Sequence, residues 1–361
     1  MIGFAAGSAH AALPVLSMVH LTTLNGRLQL TTSNLEAAAR VVMGAKVESD
    51  ISICVPYTRM SAYVDALPDG VVNLSVRGTT MSVVCGAHRS TLNGLDALDF
   101  PIISGPNDAV IQVLLEGRMF AKLATVTYAA ATDEQARPAL AGAHLVCGVT
   151  TVRAECANEA GLAQCTVPVS GAGEFEVLVP AKLVIRAARI FQADQPVLVA
   201  LSESRAQVYL VQGDITVVSA LIDHRYPDLN RVIPEKRLLH ATVDKAQLVT
   251  TLRAVDALLD SERGVAQMTF QHSDSARPSL EIAGRASESG AGEGCIELSA
   301  MEGDNLIIGL NTRQLMSVLS TIDTREVSIA MAGQMQPVLV QGIGDESCLH
   351  VVMPYRLPGA A

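Results

Sequence analysis

Apolar and polar positions alternate along most of the chain, the period of half-buried strands, and short stretches of helical periodicity interrupt that alternation at long intervals. Three segments share one order: a short strand, a helical stretch, then several alternating strands. The first runs from Val55-Pro56-Tyr57-Thr58-Arg59-Met60 through Ala66-Leu67 to strands at 71–76 and 81–84. The second runs from Val179-Pro180-Ala181-Lys182-Leu183 to Phe191, then strands at 197–201, 206–210 and 215–218. In the third, Leu310-Asn311-Thr312-Arg313-Gln314-Leu315 opens a helix ending near Ile322, with strands at 327–331, 337–340 and 349–353. The openings at Val55, Val179 and Leu310 lie 124 and 131 residues apart. A period that long marks a triplicated domain, not a solenoid.

The two later copies also carry an earlier helix, predicted over 114–130 and over 244–258, with Thr242 or Asp244 as the cap of the latter. The first copy has no counterpart. Its opening 54 residues offer a strand over 15–24, an Asn25-Gly26 hairpin turn and a return over 27–32, so either that domain has lost a helix or the start is set too late. Strands outnumber helices, which predicts an α+β fold of three tandem domains at 1–104, 105–234 and 235–361. The run Gly290-Ala291-Gly292-Glu293-Gly294 reads as a solvated loop.

Composition narrows the chemistry. Hydrophobic residues make up 49% of the 361 and charged ones 17%, with no Trp, so the cores rest on aliphatic side chains in a globular protein. Seven cysteines (Cys54, Cys85, Cys147, Cys156, Cys165, Cys295, Cys348) form no C-x-x-C pair and no disulfide framework, which points to a reducing cytoplasm. The segment before Arg27 lacks the basic start of a secretory signal, and no apolar run is long enough for a membrane span. The eight histidines (His10, His20, His88, His144, His224, His240, His272, His350) are isolated and read as structural or surface groups. No nucleophile and base, metal-ligand spacing or phosphate-binding loop stands out, so no enzyme activity, metal or cofactor is expected.

The formal charge is −10, which argues against nucleic-acid binding by the whole surface. Sorting charge by element changes that picture. The helical windows 57–66, 112–130, 181–192, 244–258 and 311–320 hold Arg59, Arg118, Lys122, Lys182, Arg186, Arg189, Lys245, Arg253 and Arg313 against Asp65, Glu116, Asp244 and Asp256. Their balance is +5, leaving −15 for the rest of the chain. Lys182, Arg186 and Arg189 form one stripe on a helix whose other arc is apolar. Taken alone, the stripe is read first as an ordinary solvated helix face.

Two motifs add to this. The chain ends in Val351-Val352-Met353-Pro354-Tyr355-Arg356-Leu357, and upstream stands His224-Arg225-Tyr226-Pro227-Asp228-Leu229-Asn230-Arg231-Val232-Ile233-Pro234. With the triplication, from Leu13 onward, these resemble the bacterial DNA sliding clamp, the beta subunit of DNA polymerase III. That family ends its last strand in Met-Pro-x-Arg-Leu and passes from second to third domain through Phe/Tyr-Pro-Asp-x-x-Arg-Val-x-Pro.

The resemblance implies a non-enzymatic, cytoplasmic homodimer that closes head to tail around duplex DNA. The basic helix residues above would face the duplex, and the ring would tether the replicative polymerase and admit the clamp loader through short linear peptides. The peptide pocket would fall on Leu140, Leu162, Pro227, Arg231, Val232, Met335, Pro337, Val351, Val352, Met353, Pro354, Tyr355, Arg356 and Leu357. Val351, Val352 and Leu357 read equally well as core. Ring closure would use Phe100, Ile102 and Ile103 against Leu258 and Leu259, residues that could equally pack inside their own domains. One departure stands out: where the family's pocket wall reads Thr-Asp-Gly-x-Arg-Leu, this chain has Ala157-Asn158-Glu159-Ala160-Gly161-Leu162, keeping only the Leu. The rival reading is a clamp-like paralogue that binds partner peptides without closing on DNA.

Overall fold

The computed structural model describes residues 2–7, 13–106, 109–169, 173–234, 236–259, 264–272, 277–286 and 290–357; His10 lies outside them. In domain 1, β1 (Met18–Leu24), β2 (Arg27–Ser33), β3 (Ala37–Gly44) and β4 (Ser52–Pro56) lead into α1 (Tyr57–Asp65). Three strands follow it, β5 (Val72–Arg77), β6 (Thr80–Cys85) and β7 (His88–Asn93). Asn25 and Gly26 have φ of 52° and 71°, the left-handed pair that a two-residue hairpin turn demands.

Domain 2 opens with β8 (Ala109–Glu116) and α2 (Gly117–Ala124), then β9 (Gly142–Cys147), β10 (Thr151–Asn158), β11 (Gly161–Pro168) and β12 (Phe175–Pro180). After α3 (Ala181–Ile190) come β13 (Pro196–Ser202), β14 (Gln207–Gln212) and β15 (Ile215–Ala220). Domain 3 repeats the order: β16 (Leu239–Asp244), α4 (Lys245–Asp256), β17 (Val265–Gln271), β18 (Ser279–Ala286) and β19 (Gly290–Glu297). It continues with β20 (Ala300–Gly303), β21 (Leu306–Asn311), α5 (Thr312–Leu319), β22 (Glu326–Met331), β23 (Val338–Gly342) and β24 (Asp345–Val352).

The helices α1, α3 and α5 start at equivalent places by two local devices. Pro56 and Pro180 end a strand and leave no N–H to continue its ladder, while Asn311 caps through its side chain, accepting from the Gln314 amide at 2.9 Å. Asp244 caps α4 in the same way through Gln247. Two expectations are corrected. Residues 114–116 belong to β8, and helix begins only at Gly117, where a Cβ would collide with the Gln192 and Gln195 carbonyls. The glycine run from Gly290 is not a loop but β19, whose Gly292 and Gly294 let Leu258 and Thr251 approach closely.

Alternate strand residues bury against the helices. Each domain has its own core of this kind: α3, for example, buries Ala181, Leu183, Val184 and Ala187 and leaves Lys182, Arg186 and Arg189 exposed. The sheets cross domain boundaries. One runs β4-β1-β2-β3-β15-β14-β13-β8 through domains 1 and 2, and another runs β12-β9-β10-β11-β24-β23-β22-β16-β20 through domains 2 and 3. Two smaller sheets, β19-β18-β17-β21 and β5-β6-β7, end the chain at each side.

Among the described residues, domain 1 has no counterpart of β8 and α2. A 3-10 turn at Gly3–Ala5 stands near that place, with Ile2 and Ala5 buried beside Val19, Leu21, Ile53 and Met60. The reading of the cysteines as unpaired is also corrected, since Cys165 and Cys348 form a disulfide between β11 and β24.

Candidate functional site

Where domains 2 and 3 meet, the face of the sheet opposite the helices carries a small apolar floor. Ala157, Leu162, Ala330, Leu339 and Val351 are buried there, and Leu140, Leu229, Val232, Ile233 and Leu349 pack on them half-buried. They converge because β11 pairs with β24 and β22 with β23, setting Leu162 opposite Val351 and Ala330 opposite Leu339. Of the other residues expected here, Pro227, Arg231, Met335, Tyr355 and Arg356 are exposed, and Pro337, Met353 and Pro354 are half-buried. The result is an apolar cluster where two domains meet, with Arg231 exposed in the chain beside Val232.

Backbone bonds fix the end of the chain beside it. Met353 N–H donates to the Ala160 carbonyl at 2.8 Å, Gln314 donates its side-chain amide to the same carbonyl, and Tyr355 N–H donates to Gly309 at 2.8 Å. The carboxylate at the altered 157–162 turn is matched locally, because Glu159 pairs with Arg137 at 2.8 Å.

The segment leaving domain 2 is pinned just before the groove. Tyr226 is buried and stacks on His144, ring centroids 4.6 Å apart, while His144 bridges Glu155 at 3.3 Å and Glu176 at 2.8 Å. Burial pushes the imidazole pKa down, but the two carboxylates outweigh it and hold the group above its ordinary value. Burial likewise pushes Glu155 up, and His144 with Arg153 brings it below the usual carboxylate range. A cavity of about 670 Å³ opens beside this cluster, lined also by Arg205, Asp223, His224 and Arg225.

On the opposite face, the five helices carry nine bases and only Asp65 and Asp256 as acids, since Glu116 and Asp244 fall at strand ends. Arg59, Arg118, Lys182, Arg186, Arg189, Arg253 and Arg313 are exposed. Several have local partners: Arg118 pairs with Glu116, Lys182 with Glu134, Arg313 with Asp256, and Arg186 lies over the Phe4 ring.

Comparison with known proteins decides the family. Profiles of the DNA polymerase III beta subunit match in chain order: its N-terminal domain over 7–104, central domain over 114–228 and C-terminal domain over 230–356. The chain belongs to the DNA polymerase III beta subunit family. The beta sliding clamp of Pseudomonas putida is 29% identical over 96% of this chain and 93% of its own length, and that of Vibrio cholerae 28% over the same shares. A crystal structure of the Pseudomonas aeruginosa sliding clamp superposes with a TM-score of 0.89 at 24% identity, covering 99% of this chain and 95% of that one. The Thermotoga maritima beta subunit gives 0.89 at 20%, with the same coverage.

Within this beta subunit several sequence expectations change. Val352 is fully buried and faces the domain 3 core, one residue out of phase with Val351 on the groove floor, and Leu357 packs on Gly309. Lys122 and Lys245 are half-buried and committed to structure, the first to Asp345 at 2.7 Å and the second to the Ile322 carbonyl. The suggested closure residues differ in their surroundings within one chain. Phe100 packs with Val15, Leu16 and Cys54, Ile103 lies over the junction of domains 1 and 2, and Leu259 is buried in domain 3. Ile102 is exposed, and Leu258, in the turn after α4, packs against Gly292 of β19. Sequence reasoning missed Ala157, Ala330 and Leu339 on the groove floor. Their signal was strand register, invisible until β22, β23 and β24 are paired.

Proposed function

We propose that two copies of this chain close head to tail, β7 of one against β19 of the other, into a ring whose helices face the hole. The observation that carries this reading is a series of equivalent strand pairs. β3 of domain 1 pairs with β15 of domain 2, and β11 of domain 2 pairs with β24 of domain 3. The next member of the series is β19 with β7, and within one chain both are edges. Their outward residues suit each other, with Arg89 and His88 exposed on β7 and Glu293 and Glu297 exposed on β19.

The register follows by counting from the hairpins. Cys85↔His88 matches Gln212↔Ile215, which puts Thr91 in the place of Val218. Asn158↔Gly161 matches Ala286↔Gly290, which puts Ala291 in the place of Leu162. Setting Thr91 opposite Ala291, as Val351 stands opposite Leu162, aligns Arg89 of one copy with Glu293 of the other.

The chain is a DNA sliding clamp, a processivity factor by family. Its work is non-catalytic: exposed arginines and lysines on the helices meet the phosphates of any duplex without reading bases, and partners held in the groove gain effective concentration at the DNA. An extended peptide with apolar anchors suits the floor of Leu162, Leu339 and Val351, and Arg231 or Arg356 can donate to its carbonyls. No helix among the described residues is long and apolar enough to cross a membrane, and this reading places the clamp with the DNA in the cytoplasm. We set the domain boundaries at 104/105 and 234/235.

Light scattering tests the closure. Arg89→Glu and Glu293→Arg should each shift the dimer toward monomer, and the double exchange should restore it. A wild type that stays monomeric across the micromolar range would favour an open subunit that only binds peptides. Reversing Lys182, Arg186 and Arg189 to Glu should weaken retention on nicked circular DNA. Unchanged peptide affinity after Arg231→Ala and Met353→Ala would count against the groove.

A further inference from the structure

The cysteines at the junction of domains 2 and 3 form a site with its own chemistry. Cys165 on β11 and Cys348 on β24 stand directly opposite each other on the helix side of the sheet, three residues along from the groove pair Leu162↔Val351. They are bonded, with their Cα atoms 4.0 Å apart and 183 residues between them in the chain. At the equivalent place between domains 1 and 2, three residues from Ala38↔Val218, the pair is Val41↔Ile215. The fold therefore accepts an aliphatic pair there and does not itself require sulfur.

We propose that Cys165 and Cys348 are a reversible thiol–disulfide site that covalently ties domain 2 to domain 3 beneath the partner groove. The oxidant is a low-molecular-weight disulfide of the glutathione class. Cys165 is fully buried and Cys348 half-buried, so Cys348 is the entry point. Its thiolate attacks one sulfur of the reagent, forming a mixed disulfide and expelling one thiolate. The Cys165 thiolate then attacks the Cys348 sulfur, forming the protein disulfide and expelling the second. One reagent disulfide is reduced to two thiols as two protein thiols lose two electrons, and excess dithiol reverses both steps.

The remaining cysteines do not compete for the bond. Cys54, Cys85, Cys147 and Cys156 are buried in domain interiors, and burial pushes the Cys54 and Cys147 thiols up to about 12. Cys295 is exposed on β19, far along the chain from either member of the pair.

The test uses the full chain in a Cys295→Ser background, equilibrated in oxidised glutathione or in dithiothreitol. After oxidation the expected results are a mass 2 Da lower, two fewer maleimide-reactive thiols on denaturation, and a cross-linked peptide joining Cys165 to Cys348. Reduction should lower the unfolding midpoint by about 5 °C, because a long closed loop is released in the unfolded chain. Cys165→Val with Cys348→Ile, the pair native to the other junction, should fold and lose the redox dependence. Two thiols that stay reactive in glutathione disulfide, a midpoint indifferent to dithiothreitol, or a shift that persists in the double variant would each overturn the proposal.

Discussion

The two strand junctions inside the chain are built on one template and finished differently. Between domains 1 and 2 the outward quartet is Ala38, Ala200, Tyr209 and Val218; between domains 2 and 3 the same register positions hold Leu162, Ala330, Leu339 and Val351. The first quartet is closed, with the Tyr209 ring fully buried and Ile103 of the connecting segment laid over it. The second has a shorter side chain in the place of that ring, and its connecting segment carries Arg231 exposed beside the floor. Both quartets are buried, and one aromatic ring distinguishes them: Tyr209 stands where the second has Leu339.

The helix sides of the two junctions also differ. Each has an Asp near the tip of the later domain's last hairpin reaching back to a base. Arg27 and Asp214 do so at the surface, while Lys122 and Asp345 are only about a third exposed, at 35% and 32%. Beneath the second lies His350, fully buried and 2.9 Å from the Tyr128 hydroxyl. The second junction thus carries a half-buried ion pair and a buried Tyr128–His350 contact, where the first carries an exposed ion pair and the Arg40 bond to the Ile103 carbonyl.

The largest expected effect is on pH. Burial lowers the His350 pKa from 6.5 to about 4, so the folded protein holds it neutral while the unfolded chain binds a proton below 6.5. Its share of stability is fully present above pH 6.5 and is lost as pH falls toward 4, amounting to on the order of 3 kcal/mol. His350→Gln should flatten that slope in urea unfolding followed between pH 7 and pH 4, and an unaltered slope would assign it to another group.

Opening the sealed junction comes next. Tyr209→Leu should cost about 2 kcal/mol in unfolding free energy, since a buried ring is lost and the sheet collapses only in part. The reciprocal change, Leu339→Tyr, should fill the groove and weaken a clamp-binding peptide about tenfold in fluorescence anisotropy, a loss of about 1.4 kcal/mol. Retained affinity would show that the ring is not what distinguishes the junctions.

Smaller still is the half-buried ion pair. Burial pushes Asp345 up, but Lys122 and Ser347 hold its carboxyl below the usual range, and Lys122→Met should cost about 1 kcal/mol after allowance for solvent screening. Arg27→Ala, at the exposed pair, should leave the urea midpoint unchanged; an equal loss at both would erase the contrast.

Much of this was legible in the residues themselves. The Asn25-Gly26 turn, the helix starts after Pro56 and Pro180, the Asp244 cap and the Lys182, Arg186 and Arg189 stripe all depend on neighbours within a few positions. Residues of this cluster were reached in part through the end motif, yet Val351 and Val352 were left open between core and peptide contact and Leu339 was missed. Phe100 was left open between ring closure and its own domain, because an apolar side chain in a linker looks the same whether it covers its own domain or another.

The sequence by itself determined the triplication, the five helices in outline and the segregation of basic residues onto them, because these follow from local periodicity and capping. Only the tertiary structure decided which strands become neighbours. It thereby decided that Tyr209 closes one junction, that Leu162, Leu339 and Val351 form a floor, that Lys122 and Lys245 are bound inward, and that β7 and β19 are left as edges. Alternation fixes which residues share a face of one strand; it says nothing of the strand that will lie beside it, and that pairing joins residues up to 191 positions apart, as Gly161 and Val352 show.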